Sequence, residues 1–160
     1  MGGVLEPYLE WREKAKNDTN FLMPKTFVGG MILNGAASNA PFFLDVRSAE
    51  EGRRQVRELK KRGADFIKVY SLLAPEVYAA IADECRLQNI TFAGHVPFGV
   101  SVAEASGKGQ KSLEHLRGFS IASSTNESDL RNELVKLAAP AQKSEKFDFP
   151  LTQKAYDFED

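Results

Sequence analysis

The sequence predicts an α/β fold in which parallel strands alternate with helices. Three short apolar segments, 65–70, 90–94 and 112–115, each come directly after a helical pattern. Short connections separate strand from helix, and this alternation is typical of parallel strands joined by right-handed crossovers. The chain has 160 residues, of which 42% are hydrophobic, and a formal charge of −1, so we assign 1–160 to a single domain.

The helix before the first of these strands carries clear start and stop signals. Ser48 and Glu51 form a capping box, in which each side chain can satisfy a free backbone N–H of the first turn. Val56 and Leu59 give the helix an apolar stripe, and Gly63 is typical of a helix end. The sequence therefore predicts a helix that leads directly into a strand.

The same signals recur twice further along the chain. Pro75 suits the first position of a helix, and apolar residues keep helical spacing as far as Cys85, the only cysteine. Ser101 and Glu104 form a second capping box, after the strand at 90–94. We expect Cys85 to be a packing residue, and a single cysteine excludes an intrachain disulfide.

The two ends of the chain are less regular. Leu5 to Lys16 is predicted to be a charged surface helix, Lys25 to Leu33 a strand, and Asn34 to Pro41 a loop. A further amphipathic helix is expected to stop at Pro140. Residues 140–160 lack a clear period and are predicted to be an irregular tail.

Composition excludes several classes of function. The balanced charge gives no sign of a nucleic-acid partner or of binding to an anionic membrane. The apolar run at 27–33 falls far short of the roughly 20 residues that span a bilayer. The first residues lack a basic start and an apolar stretch, which favours a cytoplasmic protein over a secreted one.

A lysine interrupts the first strand of the alternating region. Lys68 lies among Phe66, Ile67, Val69 and Tyr70, a composition typical of a strand that is buried on both faces. An unpaired ammonium group is costly in such a place. Lys68 therefore either reaches water or has a chemical role.

Lys68, His95 and His115 are separated by 27 and 20 residues, about one strand–helix unit each. We therefore expect all three at the carboxyl ends of consecutive parallel strands, where α/β folds build their sites. Neutral imidazoles suit zinc and similar metals, and the chain has only these two histidines. Tyr70 shares the face of Lys68 and is a candidate substrate-binding residue. Strand alternation predicts that Glu114 points to the opposite face, where we expect it to be a structural pair partner.

A lysine can join such a site only in altered form, because a protonated ammonium group has no lone pair for a metal. An uncharged lysine amine can react with carbon dioxide to give a carbamate, which acts as a carboxylate on a long arm. This reaction would also remove the cost of burying the charge of Lys68.

Three stretches, GADFIKVYS, QNITFAGHVPFGVSVAEA and GQKSLEHL, resemble the metal-dependent amidohydrolase superfamily, in particular its imidazolonepropionase-like and prolidase-like branch. The similarity extends over about 25–118. It implies part of a (β/α)8 barrel, with one or two divalent metals at the carboxyl end of the strands. In that case Lys68 would be the carboxylated, bridging lysine, and His95 and His115 would bind the second metal.

The sequence also departs from this family. The family carries a His-x-His pair on its first strand and a closing aspartate on its last, and neither has a counterpart here. A complete barrel takes about 250 residues. We therefore expect an internal fragment of the barrel that is catalytically inactive by itself.

The resemblance implies a parent hydrolase that acts on amide or other C–N bonds of small or dipeptide-like substrates and uses a divalent metal, with zinc the leading candidate. One alternative is a lyase related to class I aldolases, in which Lys68 forms a Schiff base. Another is a non-catalytic fragment whose open sheet edges make it self-assemble. We expect a homodimer that either joins two half-barrels or exchanges a terminal segment, 5–11 or 147–156, between the two copies.

Overall fold

The computed structural model describes residues 3–36, 40–143 and 149–159, and its centre is a parallel four-stranded sheet. The strand order is β2-β1-β3-β4, and every pair of neighbours is parallel. The strands are β1 (Ile32–Asn34), β2 (Phe43–Asp45), β3 (Phe66–Val69) and β4 (Thr91–Gly94). The predicted α/β class with parallel strands is therefore confirmed.

Helices connect and follow these strands. They are α1 (Glu6–Asn17), α2 (Ala49–Lys61), α3 (Pro75–Leu87), α4 (Val102–Gly107), α5 (Phe119–Ala122), α6 (Glu127–Lys143) and α7 (Phe149–Glu159). None of the helices described is long and apolar enough to cross a membrane.

The predicted helix starts are confirmed. The Ser48 hydroxyl accepts a hydrogen bond from the Glu51 backbone N–H at 3.2 Å, and Ser101 caps α4 through the Glu104 N–H at 3.0 Å. Pro75 is the first residue of α3. These local signals fix where each helix begins after its strand, and so they position the ends of β3 and β4.

Burial on β3 alternates strictly from residue to residue. Ile67 and Val69 are fully buried in a core that α2 and α3 cover, whereas Phe66 and Lys68 on the other face are not fully buried. The prediction that this strand is buried on both faces was therefore wrong. Among the described residues, both of these helices pack on one side of the sheet, which leaves the Lys68 side partly open.

The third predicted strand, 112–115, does not form. Only Leu113 makes a parallel bridge, to Gly94, and residues Glu114–Leu116 then turn as a 3₁₀ helix. His115 has φ of 61° and Leu116 has φ of 55°, both in the left-handed region that residues with a side chain rarely adopt. The chain leaves the sheet here because a left-handed backbone cannot continue a strand.

The first sheet segment is shorter than predicted. Of the strand expected over Lys25 to Leu33, only the end belongs to the sheet, as part of β1. Val28 instead hydrogen-bonds to Asp65, its N–H donating to the carboxylate at 2.7 Å and its carbonyl accepting from the backbone. Part of the predicted loop over Asn34 to Pro41 lies outside the described residues.

The carboxyl-terminal part of the chain is more regular than predicted. Pro140 lies inside α6 instead of ending it, and α7 occupies much of the tail that was expected to be irregular. Proline weakens a helix by removing one N–H. Burial of Ala138 and Ala141 in a second apolar cluster, which also includes Tyr156 of α7, stabilises the last turns.

Candidate metal centre

Lys68 has a partner in this structure. Its Nζ donates to the carboxylate of Glu114, and only 12% of the lysine side chain is exposed. An ion pair of this kind offsets part of the cost of removing the ammonium group from water. The lysine therefore neither points into bulk solvent nor remains an unpaired charge.

His95 follows β4 directly, and its backbone N–H donates to the Val69 carbonyl at 3.2 Å. The residue is 5% exposed. Nδ1 lies 2.8 Å from the Ser71 hydroxyl, while Nε2 lies 4.0 Å from the nearer carboxylate oxygen of Glu114. The two ring nitrogens thus face different groups.

His115 lies beside His95 at the same edge of the sheet. The two ring centroids are 5.0 Å apart and the rings are nearly perpendicular. His115 is exposed, whereas His95 is buried. The structure therefore brings together Lys68, His95 and His115, the three residues that the spacing placed at one edge.

Glu114 is the residue of this site that the sequence analysis assigned wrongly. Alternation along a strand predicted that it would face away from His115, but the 3₁₀ turn directs both side chains toward His95. One ligand atom from each of His95, Glu114 and His115 lies within 4.8 Å of the others, so the three could hold a metal ion. No local signal in the sequence marks the left-handed residues that produce this turn.

The environment of His95 suits metal binding. Burial, followed by the charges of His115, Lys68 and Arg117, lowers the pKa of His95 to about 3. The imidazole is therefore uncharged at neutral pH, which is the form that coordinates metals.

Ser71 connects His95 to the carboxyl-terminal helix. The hydroxyl of Tyr156, on α7, donates to the Ser71 hydroxyl at 2.9 Å. Arg117 lies over the Tyr156 ring at 3.9 Å, and burial is the main cause that raises the pKa of this tyrosine. The sequence analysis missed both Ser71 and Tyr156, because a polar residue after a strand and an aromatic residue in an aperiodic tail carry no specific signal.

Tyr70 packs against the same histidine. Its ring stacks on that of His95 with centroids 4.1 Å apart, and its edge contacts Phe43 of β2. The aromatic ring therefore forms one wall beside the candidate ligands.

The chain resembles solved amidohydrolase structures. A crystal structure of an amidohydrolase has a TM-score of 0.61 at 20% identity, and the match covers 99% of this chain and 48% of that one. Bottromycin amidohydrolase has a TM-score of 0.57 at 22% identity, covering 79% and 29%. A prolidase complexed with N-methylphosphonate-L-proline has a TM-score of 0.57 at 19% identity, covering 93% and 46%.

No protein-family model and no curated protein sequence matches the chain. The structural matches therefore carry the comparison, and at these identities they establish the fold. They confirm that the chain has the fold of part of an amidohydrolase barrel, as the sequence resemblance implied. The chain spans under half the length of each of these proteins.

Proposed function

We propose that the chain is part of a metal-dependent hydrolase that acts on amide or other C–N bonds. The observation that carries this proposal is the convergence of His95, Glu114 and His115 at the carboxyl edge of a parallel sheet, with ligand atoms within 4.8 Å of one another. Sites of α/β folds lie at this edge. The fold shared with solved amidohydrolases supports the same conclusion.

The donor set fits a divalent metal such as zinc. Histidine nitrogens and a carboxylate oxygen are common zinc ligands. His95 has Nε2 on the side of Glu114, while Nδ1 hydrogen-bonds to Ser71 on the other side of the ring. An outer hydrogen bond of this kind holds a metal-binding imidazole in orientation.

His95 and His115 would hold the metal, and Lys68 would join them as a carbamate. When bound, a divalent metal polarises the substrate carbonyl and lowers the pKa of water toward neutrality. Tyr70 would contact the substrate, because its ring forms the wall beside His95. We propose acyl-proline or dipeptide-like substrates, given that the prolidase neighbour is complexed with a proline derivative.

Glu114 competes with the carbamate for Lys68. In the structure Nζ donates to Glu114, so this ion pair must open before the amine can react. The ammonium group would first release one proton to water, and the resulting free amine would then attack carbon dioxide, form an N–C bond and release a second proton to water. The resulting carbamate anion could no longer pair with Glu114, whose carboxylate would turn toward His95 and His115.

We expect the chain to bind zinc or cobalt(II). His95→Ala and His115→Ala should each weaken binding by more than about 100-fold, because losing a direct ligand lowers the affinity more than losing an outer hydrogen bond does. Isothermal titration calorimetry on apo protein measures this affinity. Glu13→Gln is the matched control, because Glu13 is an exposed carboxylate on α1. Equal affinities in the wild-type protein and the three variants would contradict the proposal.

Carbamate formation on Lys68 is tested with isotope-labelled bicarbonate. We expect a carbamate carbon signal in NMR spectra of the zinc-loaded protein and none in Lys68→Arg. Arginine retains the positive charge and can still pair with Glu114, but its guanidinium group does not add carbon dioxide. If zinc-loaded wild-type protein lacks this signal, Lys68 does not form a carbamate, and Glu114 is the remaining candidate for the third ligand.

The homodimer expected from the sequence remains a proposal. Leu5 and Tyr156, which belong to the two segments proposed for exchange, both pack inside their own chain. A dimer would therefore form through the partly open face of the sheet, without exchange. Sedimentation equilibrium at micromolar concentrations tests this, and a monomer throughout that range would contradict it.

The rival functions gain no specific support. A Schiff-base lysine needs a free amine facing a carbonyl substrate, and this function leaves the juxtaposed His95 and His115 unexplained. That the 160 residues alone have no appreciable hydrolase activity remains a prediction. Amide turnover at rates of about 1 per second or more, which are typical of enzymes, would contradict it.

A further inference from the structure

Ser71 lies between the imidazole of His95 and the hydroxyl of Tyr156. Its Oγ is 2.8 Å from Nδ1 and 2.9 Å from the tyrosine oxygen. All three residues are buried, with exposed fractions of 0% for Ser71 and 5% for each of the other two. Buried hydroxyl groups need partners for both their hydrogen and their lone pairs.

In the structure, the direction of these hydrogen bonds follows from Tyr156, which is the donor to Ser71. Tyr156 donates its one hydroxyl proton to Ser71, and Ser71 then has one proton to donate. Nδ1 of His95 is the acceptor within reach. A neutral imidazole carries a single ring proton, so an Nδ1 that accepts leaves that proton on Nε2. Nε2 lies 4.0 Å from a carboxylate oxygen of Glu114, which is beyond hydrogen-bond distance, but the negative charge there favours a proton on Nε2.

We propose that Ser71, held by Tyr156, is a positioning residue that sets the tautomer of His95 and reverses its hydrogen bond when a metal binds. In the metal-free chain Ser71 donates to Nδ1 and His95 carries its proton on Nε2. A metal on Nε2 requires the other tautomer, in which Nδ1–H donates to Ser71. The metal-bound half of this inference rests on the proposed function.

The reversal is balanced in protons. Nε2 releases one proton to water and Nδ1 takes up one proton from water, so the imidazole stays neutral. Ser71 can accept from Nδ1–H because a hydroxyl oxygen has two lone pairs, and its own proton then turns toward Tyr156. Tyr156 also has a side-chain hydrogen bond with Tyr70, whose hydroxyl oxygen can then accept from the Tyr156 hydroxyl. Each hydroxyl therefore keeps one proton in both states.

The tautomer can be read directly by NMR. Long-range proton–nitrogen correlation spectra distinguish Nδ1–H from Nε2–H imidazoles, and a His115→Asn variant assigns the signals because the chain has only two histidines. Without metal, we expect His95 as the Nε2–H tautomer. In Ser71→Ala this preference should be lost, and in Tyr156→Phe it should weaken, because Ser71 is then free to rotate.

The affinity for metal gives a second readout. Removing an outer hydrogen bond to a metal-binding histidine weakens binding by about 10- to 100-fold. We expect this loss of cobalt(II) affinity in Ser71→Ala and an altered visible absorption spectrum of the bound ion. Ser123→Ala is the control, since Ser123 is exposed and donates to the Phe119 carbonyl, away from His95. Circular dichroism and thermal melts show whether each variant is folded.

The outcomes separate this inference from the proposed function. An Nδ1–H tautomer in metal-free wild-type protein, or an unchanged spectrum in Ser71→Ala, would overturn it whether or not metal binds. The expected tautomers without any zinc or cobalt binding would support the metal-free half and overturn the proposed function. Binding of zinc with His95 still in the Nε2–H form would overturn the reversal alone.

Discussion

Replacing Gly94 with alanine is expected to lower the free energy of unfolding by more than about 3 kcal/mol. Gly94 has φ of 133°, a conformation that residues with a side chain rarely adopt. A Cβ at this position would lie 2.2 Å from the backbone carbonyl oxygen of Val69 on the neighbouring strand. The clash involves two backbones in register, so neither can move without breaking the β3–β4 pairing.

Urea denaturation followed by circular dichroism measures this loss, and Gly107→Ala is the matched control. Nothing lies within 4 Å of a Cβ at Gly107, the last residue of α4. Alanine also favours helix over glycine, so the control should be neutral or slightly stabilising. Equal stabilities of the two variants would show that β3 and β4 do not approach as described.

The sequence predicted those parts of the fold that short-range signals determine. Ser48 and Ser101 begin their helices by accepting hydrogen bonds from residues three positions later, so the evidence for each cap lies within one turn of chain. The spacing of Lys68, His95 and His115 predicted that they lie close together for a related reason. A strand–helix unit returns the chain to the same edge of a parallel sheet, so Lys68 and His95 meet there, and the bridge between Leu113 and Gly94 brings His115 to that edge without a third strand.

The missed parts of the site depend on backbone angles and long-range contacts. Glu114 and His115 lie on the same side because the chain turns with left-handed angles at His115 and Leu116, and neither position is a glycine that would mark such a turn. Tyr156 reaches Ser71 across 85 positions of chain. Periodicity cannot reveal a contact of this range, and the buried face of α7 forms only against the second apolar cluster.

The error about β3 has a similar origin. A run of β-branched and aromatic residues fits a strand that is buried on two faces. It fits equally well a strand that is buried on one face and carries aromatic residues on the other. The second arrangement forms, because α2 and α3 cover only the Ile67 face. Lys68 can therefore occupy the other face, where it finds Glu114.

Truncating the two faces of β3 should therefore give unequal losses of stability. Ile67→Ala is expected to lower the free energy of unfolding by about 2–5 kcal/mol, because it leaves a cavity between the sheet and the helices. Phe66→Ala removes a larger side chain, yet it should cost less, because Phe66 is half-buried on the open face. Leu22→Ala, at a side chain that is 91% exposed, should change little.

Thermal and urea unfolding of the three variants measure these differences. The comparison between Ile67 and Phe66 uses one strand, so strand pairing is common to both and the faces alone differ. A larger loss for Phe66→Ala would mean that a second layer covers the Lys68 face in solution, either from another copy of the chain or from a bound partner. In that case Lys68, His95 and His115 would lie inside an assembled site, and the metal affinities of the single chain would have to be measured as a function of protein concentration.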